Sequence, residues 1–238
     1  MSDTRAPTAG ARPSLTIIVP ALSAVGTLDR AIAALEEGRG RFALRCLVVD
    51  GGSNDGTMEL ARRLGADVLQ TAPGRGRQLQ SGAVASDSDW LLFLHADTVL
   101  APGWSIEAAK FIENSDNLRR AAAFRFALDD AAAAARRVEA FVAWRCRVFG
   151  LAYGDQGLLI SRRFYGEIGG FRPLPLMEDV DVARRIGRRR FVMLETSATT
   201  SAARYRNQGY ILHGLRNFFC LGLYFAGVPP QHIAKVYG

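Results

Sequence analysis

Between residues 15 and 97, four short apolar runs alternate with three helical patterns, and this alternation constrains the fold more than any other feature of the chain. LTIIVP (15–20) is a β-rich run stopped by Pro20. TLDRAIAALEE (27–37) then sets apolar side chains at 28, 32 and 35, the spacing of one helix face, with Thr27 available as its cap. RCLVVDGG (45–52) reads as a second strand ending in Asp50 and a glycine pair, and SNDGTMELARRLG (53–65) as a turn and a helix closed by Gly65. ADVLQ (66–70) is a third strand, GRGRQLQSGAVAS (74–86) starts another helix, and WLLFLHAD (90–97) is a fourth strand. Such repetition predicts a parallel sheet wound with helices. In these sheets ligands bind outside the carboxyl ends of the strands. Three strand ends here carry polar groups: Pro20 with Ser23, Asp50, and His95 with Asp97.

The second half is less regular. The pattern predicts a helix over 103–113, a strand over 121–128 and an alanine-rich helix over 130–148. GLLISRRFYGEIGGF (157–171) reads as strand, turn, short helix and glycine break, and 172–190 as a proline-rich loop entering an acidic helix start. A last strand at 191–195 precedes a mostly helical C-terminus. Without an internal repeat or an obvious linker, the expectation is one compact domain. Its parts would be a disordered tail (1–14), a first half (15–100), a second half (101–200) and a helical extension (201–238).

Composition sets limits on partners. The chain has 238 residues, 49% hydrophobic and 22% charged, enough to bury a core without disulfide or metal staples. Three widely spaced cysteines with no CxxC pair fit buried thiols in a reducing compartment, so a cytoplasmic location is expected. The net charge is +7, and lysine occurs only at 110 and 235, so nearly all of the basic residues are arginines. Arginine suits phosphate because its planar fork makes paired hydrogen bonds. The charge alone does not choose among nucleic acid, an anionic membrane and a phosphorylated substrate. FFCLGLYFAGV (218–228) is too short to span a bilayer.

Four stretches could carry chemistry. Asp50 in VVDGGSNDGT either organises its own turn or accepts hydrogen bonds from a nucleobase or ribose. GRGRQLQSG (74–82) is either a solvated basic loop or a diphosphate clamp, in which Arg75 or Arg77 supplies charge and the next helix supplies N–H groups. It is not a Walker motif. Asp97 either caps a turn or holds a hard cation such as Mg²⁺, which needs only one or two protein carboxylates when phosphates complete its shell; His95 suits Mn²⁺ better. In MEDVD (177–181) the acids either favour the helix dipole or provide a general base.

Taken in order, IIVPAL (17–22), VVDGGSNDGT (48–57), GRGRQLQSGA (74–83), WLLFLHADT (90–98), GLLISRRFYGEIGGFRPL (157–174) and EDVD (178–181) resemble the family 2 glycosyltransferases of the GT-A fold. The resemblance spans about residues 15–195. YGDQG and GGFRPLPLMEDVD are similar to a bacterial subgroup labelled as arsenosugar-biosynthesis glycosyltransferases. The resemblance implies a mostly parallel, Rossmann-like α/β sheet flanked by helices, with a helical C-terminal extension. It implies inverting transfer of a sugar from a nucleoside-diphosphate donor to a hydroxyl acceptor, helped by Mg²⁺ or Mn²⁺. Pro20, Ala21, Asp50, Gly52, Arg75, Arg77 and Ala96 would line the donor, and Asp97, with His95 as a second candidate, would hold the metal. Asp179 would be the base with Glu178 beside it, and Asp155 and Gln156 would meet the acceptor.

The chain departs from the family pattern at two places. Ser23-Ala24 stands where many relatives have Asn-Glu, and the DxD motif has become His95-Ala96-Asp97. His213 is a further candidate metal contact, although a structural or surface role suits its apolar helical setting better. Arg204, Arg206 and Arg216 beside Phe218, Phe219, Leu223 and Tyr224 suggest core packing or, as a second reading, peripheral contact with the inner membrane face and a lipid-linked acceptor. Two rivals differ in kind. A sugar-nucleotide pyrophosphorylase would need a glycine-rich basic loop after the first strand, where PALSAVG stands. A basic nucleic-acid or membrane module has no use for an ordered ED pair, so no nucleic-acid partner is expected.

Overall fold

The computed structural model describes residues 12–237, apart from the side chains of residues 204, 207, 208 and 211–213. Most of the expected N-terminal tail, and the side chains of Arg204 and His213, therefore lie outside the described residues. The strands are β1 (Ser14–Ala21), β2 (Ala43–Asp50), β3 (Asp67–Gln70), β4 (Trp90–Phe93), β5 (Thr98–Leu100), β6 (Ala121–Leu128), β7 (Leu158–Ser161) and β8 (Phe191–Thr200). The helices are α1 (Leu28–Leu35), α2 (Thr57–Arg63), α3 (Arg75–Val84), α4 (Trp104–Glu113), α5 (Ala133–Phe149), α6 (Arg162–Glu167), α7 (Glu178–Ile186), α8 (Ala203–Gln208), α9 (Tyr210–Phe225) and α10 (Pro230–Tyr237).

All eight strands form one sheet in the order β3-β2-β1-β4-β7-β6-β8-β5. The four expected strands of the first half are parallel neighbours, β1 lying between β2 and β4. β7 runs antiparallel to both β4 and β6, whereas β8 is parallel to β6 and antiparallel to β5. The result is the mixed, mostly parallel α/β sheet with a helical C-terminus that the sequence implied.

Alternation along the strands explains how both faces are covered. In β1, Leu15, Ile17 and Val19 join the α1 and α4 side with Leu28, Ile32, Leu35 and Trp104. Ile18, between them, faces the other way and packs with Leu79 of α3 and Val182 and Ile186 of α7. A sheet buried on both faces reads as continuous apolar runs, which is why LTIIVP and CLVV were legible as strands. Among the described residues no helix is long and apolar enough to cross a membrane.

Three expectations about boundaries need correction. Ser14, placed in the tail, already belongs to β1 and donates its hydroxyl to Asp89 Oδ2 at 2.8 Å. The fourth strand stops at Phe93 rather than continuing to Asp97, because its partner β7 begins only at Leu158, after Gly157 with φ +66°. His95–Asp97 instead form a turn closed by Thr98 N–H to the His95 carbonyl at 3.1 Å. The last strand is ten residues long, and its polar end, Ala198–Thr200, pairs with the unforeseen β5.

Two glycine-dependent contacts place α3 against the rest of the molecule. At Gly82 a Cβ would lie 3.0 Å from Val49 Cγ2 and closer still to Ile18 Cγ2. At Gly76 it would lie 2.9 Å from Leu174 N and 3.0 Å from Leu174 O, with Arg172 O nearer. Those neighbours of Gly76 are backbone and cannot rotate away. Gly76→Ala is therefore expected to destabilise the protein by at least about 1–3 kcal/mol, the usual range for overpacking. Chemical denaturation followed by circular dichroism checks this, and an unchanged midpoint would show that the 172–174 loop yields freely.

Candidate active site

The carboxyl ends of β1 and β2 are tied together before any ligand is considered. Ala21 pairs in register with Asp50, and the Ala21 carbonyl accepts Gly51 N–H at 2.9 Å. Buried Gln78 on α3 donates its amide to both Ala21 O and Val49 O at 2.8 Å. Asp50 is fully buried: its Oδ2 accepts the N–H groups of Gly52 and Ser53 at 2.8 Å, and its Oδ1 accepts the Ser53 hydroxyl. Ser53 Oγ in turn accepts Ser23 N–H at 2.9 Å. Asp50 thus organises its own turn, its oxygens facing Gly52 and Ser53. Pro20, Ala21 and Gly52 remain at the rim of that platform, with Gly52 at φ +99°.

Asp97 occupies the turn between β4 and β5. Its main-chain carbonyl accepts Ser201 N–H at 3.3 Å, and next to it the Thr98 and Thr200 hydroxyls lie 2.9 Å apart where β5 meets β8. The turn is thus clamped from behind by β8. Its side chain is half-buried, Ala96 is buried, and His95 is half-buried against Gly154. A Cβ on residue 154 would collide with His95 Nε2, so the chain needs glycine there for the two loops to meet.

The acid pair begins α7. Met177, immediately before it, has φ +65°, a left-handed conformation that a bulky side chain rarely adopts. Such outliers persist where surrounding contacts enforce them. Here the Met177 carbonyl accepts Asp181 N–H at 2.9 Å, and Asp181 is itself held by Arg172 at 3.1 Å and by Arg185. This bend aims Glu178 inward and leaves Asp179 half-buried. Glu178 lies 3.4 Å from Arg75 Nη1, and Asp179 Oδ2 accepts Gly154 N–H at 3.4 Å while Oδ1 accepts Val180 N–H at 2.8 Å.

The loop at Tyr153–Gln156 closes the site. Gln156, expected to meet the acceptor, is 1% exposed and works as an internal brace. Its amide donates to Phe124 O at 3.1 Å, and its oxygen faces Tyr153 N–H, Cys146 Sγ and Arg145. Its polar atoms are thus committed to bracing Tyr153 and Arg145, which line the cleft, rather than pointing into it. Asp155 is different. Its Oδ1 is closed off from solvent and has no hydrogen-bond partner among the described residues.

Electrostatics show how closely these groups sit. Burial, reinforced by the Asp179 charge and opposed by Arg75, pushes Glu178 up to about 7. Burial also raises Asp155 to about 6; Arg145 and Arg75 work against that rise, and Asp179 and Asp97 add to it. For Arg75 burial acts downward, but the fields of Glu178, Asp179 and Asp97 outweigh it and favour the charged guanidinium. Four carboxyl groups from three distant segments therefore share one field, offset by Arg75 and Arg145. Arg77, the alternative clamp, is exposed on α3.

Two residues of this site escaped the sequence reading. Arg145 is 8% exposed, donates Nε to Leu151 O at 3.0 Å, and has its guanidinium 3.5 Å from the centre of the Tyr153 ring. Tyr153 lines the same pocket as His95, Gly154, Glu178 and Asp179. No local signal separates Arg145 from Arg136, Arg137 and Arg147 in the same alanine-rich helix. The described residues contain no cluster of three or more metal ligands. A hard cation that shares its shell with phosphates needs fewer, and the excess of carboxylate oxygens, one of them orphaned, suits such an ion.

Comparison with known proteins gives a consistent result. The pattern defining glycosyl transferase family 2 matches residues 16–136, just over half of the chain. A curated relative, 4,4'-diaponeurosporenoate glycosyltransferase of Staphylococcus haemolyticus (strain JCSC1435), is 32% identical over 103 residues, covering 40% of this chain and 27% of its own. The chain thus matches about a quarter of that relative's length. Among solved structures, glucosyl-3-phosphoglycerate synthase from Mycobacterium tuberculosis, with Mn²⁺, UDP and glucosyl-3-phosphoglycerate, has a TM-score of 0.64 at 17% identity, covering 91% of this chain and 81% of that one. The mannosyltransferase PcManGT from Pyrobaculum calidifontis, with GDP-Man and Mn²⁺, has a TM-score of 0.66 at 18% identity, covering 97% and 70%. At these identities the structural likeness is one of fold.

Proposed function

The chain belongs to glycosyl transferase family 2, and from that premise we propose that it moves a sugar from a nucleoside-diphosphate donor to an acceptor hydroxyl with inversion at the anomeric carbon. The observation that carries this reading is the convergence of Asp97, Asp155 and the Glu178–Asp179 pair with Arg75 beside the strand ends. The structural relatives are complexes with Mn²⁺ and UDP or GDP-Man, which supports a donor of the same class.

Asp97 would hold a Mg²⁺ or Mn²⁺ ion, which when bound supplies a Lewis acid for the charge that builds on the leaving diphosphate. Arg75 adds a fixed positive charge on the same side and keeps Glu178 in place through their 3.4 Å contact. Asp179, half-buried and braced by Gly154 N–H and Val180 N–H, takes the acceptor's proton. The acceptor oxygen then bonds to the anomeric carbon as the bond from that carbon to the diphosphate oxygen breaks. With a base for the acceptor and no carboxylate in the role of nucleophile, the single displacement inverts the centre.

Calorimetry with UDP and with GDP, each with and without Mn²⁺, tests the donor half of this reading. Saturable binding that requires Mn²⁺ is expected for one of them. The absence of binding for both, with the metal present, would remove the donor assignment.

A further inference from the structure

A groove of about 430 Å³ runs between α5 and the α8–α9 segment, within the usual range for small-molecule sites. Val138, Phe141 and Val142 of α5 line it opposite Leu215, Phe218 and Leu221 of α9. Phe141, Leu215 and Phe218 are 45%, 62% and 62% exposed, so together they form an apolar surface left open to water. Contiguous exposure of this kind marks binding sites more often than chance.

Two features give the groove a direction and a charge. Its inner end is formed by Arg145 and Tyr153, and Tyr153 also lines the pocket that holds Glu178 and Asp179. One aromatic ring thus separates the apolar channel from the proposed base. Among the described residues, the charged ones in the lining are both cations, Arg137 and Arg145, about 12 Å apart along the helix at 1.5 Å per residue. Among the described residues Arg137 makes no ion pair, and Arg145 hydrogen-bonds to the Leu151 carbonyl and the Gln156 amide while its field acts on Asp155, so Arg137 is the uncommitted charge of the groove. A neutral apolar ligand would make no use of those charges, and a compact polar one would leave the walls wet.

We propose that this groove is the acceptor subsite and takes an acidic single-chain amphiphile. Its chain lies between α5 and α9, its acidic group is met by the arginines of the groove, and a hydroxyl of its head reaches past Tyr153 toward Asp179. The word acceptor rests on the transferase reading above; the binding itself does not.

The probe is undecanoic acid carrying a dansyl group, whose fluorescence shifts to the blue when the chain is buried. Saturable, blue-shifted binding to the full chain is expected, with decanoate displacing the probe far better than decyltrimethylammonium. Phe218→Glu and Leu215→Glu, both at exposed positions, should weaken probe affinity at least about tenfold, a loss of about 1.4 kcal/mol. Metal-dependent nucleotide binding by the same samples should be unchanged. No saturable binding, equal displacement by the cationic competitor, or full affinity in both variants would each overturn the inference. Nucleotide binding that survives while probe binding fails removes this inference alone. Probe binding without nucleotide binding keeps the amphiphile site and removes the transferase reading.

Discussion

Asp179→Asn is expected to lower kcat for sugar transfer by roughly 10²–10⁴-fold, the contribution typical of a positioned base, while leaving metal-dependent nucleotide affinity intact. The substitution is nearly isosteric. An Asn carbonyl oxygen can still accept a hydrogen bond from Val180 N–H or Gly154 N–H, so the start of α7 should keep its shape. What the amide cannot do is take a proton from the acceptor. Steady-state kinetics on the folded variant, with calorimetry on the same sample, separate these effects. Glu178→Gln is the control: Glu178 is buried against Arg75, and burial already favours its neutral form up to about 7. Full turnover in Asp179→Asn together with a large loss in Glu178→Gln would move the role of base to Glu178.

Asp97→Ala is expected to abolish the dependence of nucleotide binding on Mn²⁺. Among the described residues the Asp97 carboxylate makes no hydrogen bond; the turn is held through its main chain by Ser201 and by the Thr98–Thr200 contact. Removing the side chain should therefore spare the fold. A ligand present at about a hundred times its Kd stabilises a folded protein by about 2.7 kcal/mol, so the wild type should melt at a higher temperature with nucleotide and Mn²⁺. The variant should show no such increment from the metal. A variant that keeps the full metal-dependent shift would place the cation elsewhere in the carboxylate cluster.

Where the sequence was legible, one physical rule acted locally. LTIIVP and CLVV are buried on both faces, so their apolar character survives in the sequence as an unbroken run. The strand ends then marked Asp97, and the helix start marked Glu178 and Asp179. The rest depended on contacts between distant segments. Asp50 could serve its own turn or a ligand with the same residues around it, and its full burial with three hydrogen bonds from Gly52 and Ser53 is visible only in the fold. Gln156 sits one residue from Asp155, yet one is an internal brace and the other carries an orphaned oxygen in the carboxylate cluster. β5 has three residues and no periodicity to detect; it exists because the Ser/Ala/Thr end of β8 passes beside it.

The path of β8 also bears on how the protein is made. Thr98 of β5 waits for Thr200, and Arg75 waits for Glu178, a partner 103 residues later. Contacts of such long range form slowly, because the intervening chain must be closed into a loop before they contribute. As the chain leaves the ribosome, β1–β4 can assemble early, with the edge of β4 open until β7 pairs with it. An open apolar edge is where a nascent chain aggregates. The turn that carries Asp97 is clamped only when residue 200 has emerged, so an incompletely synthesised chain presents the strand edge without yet having the site.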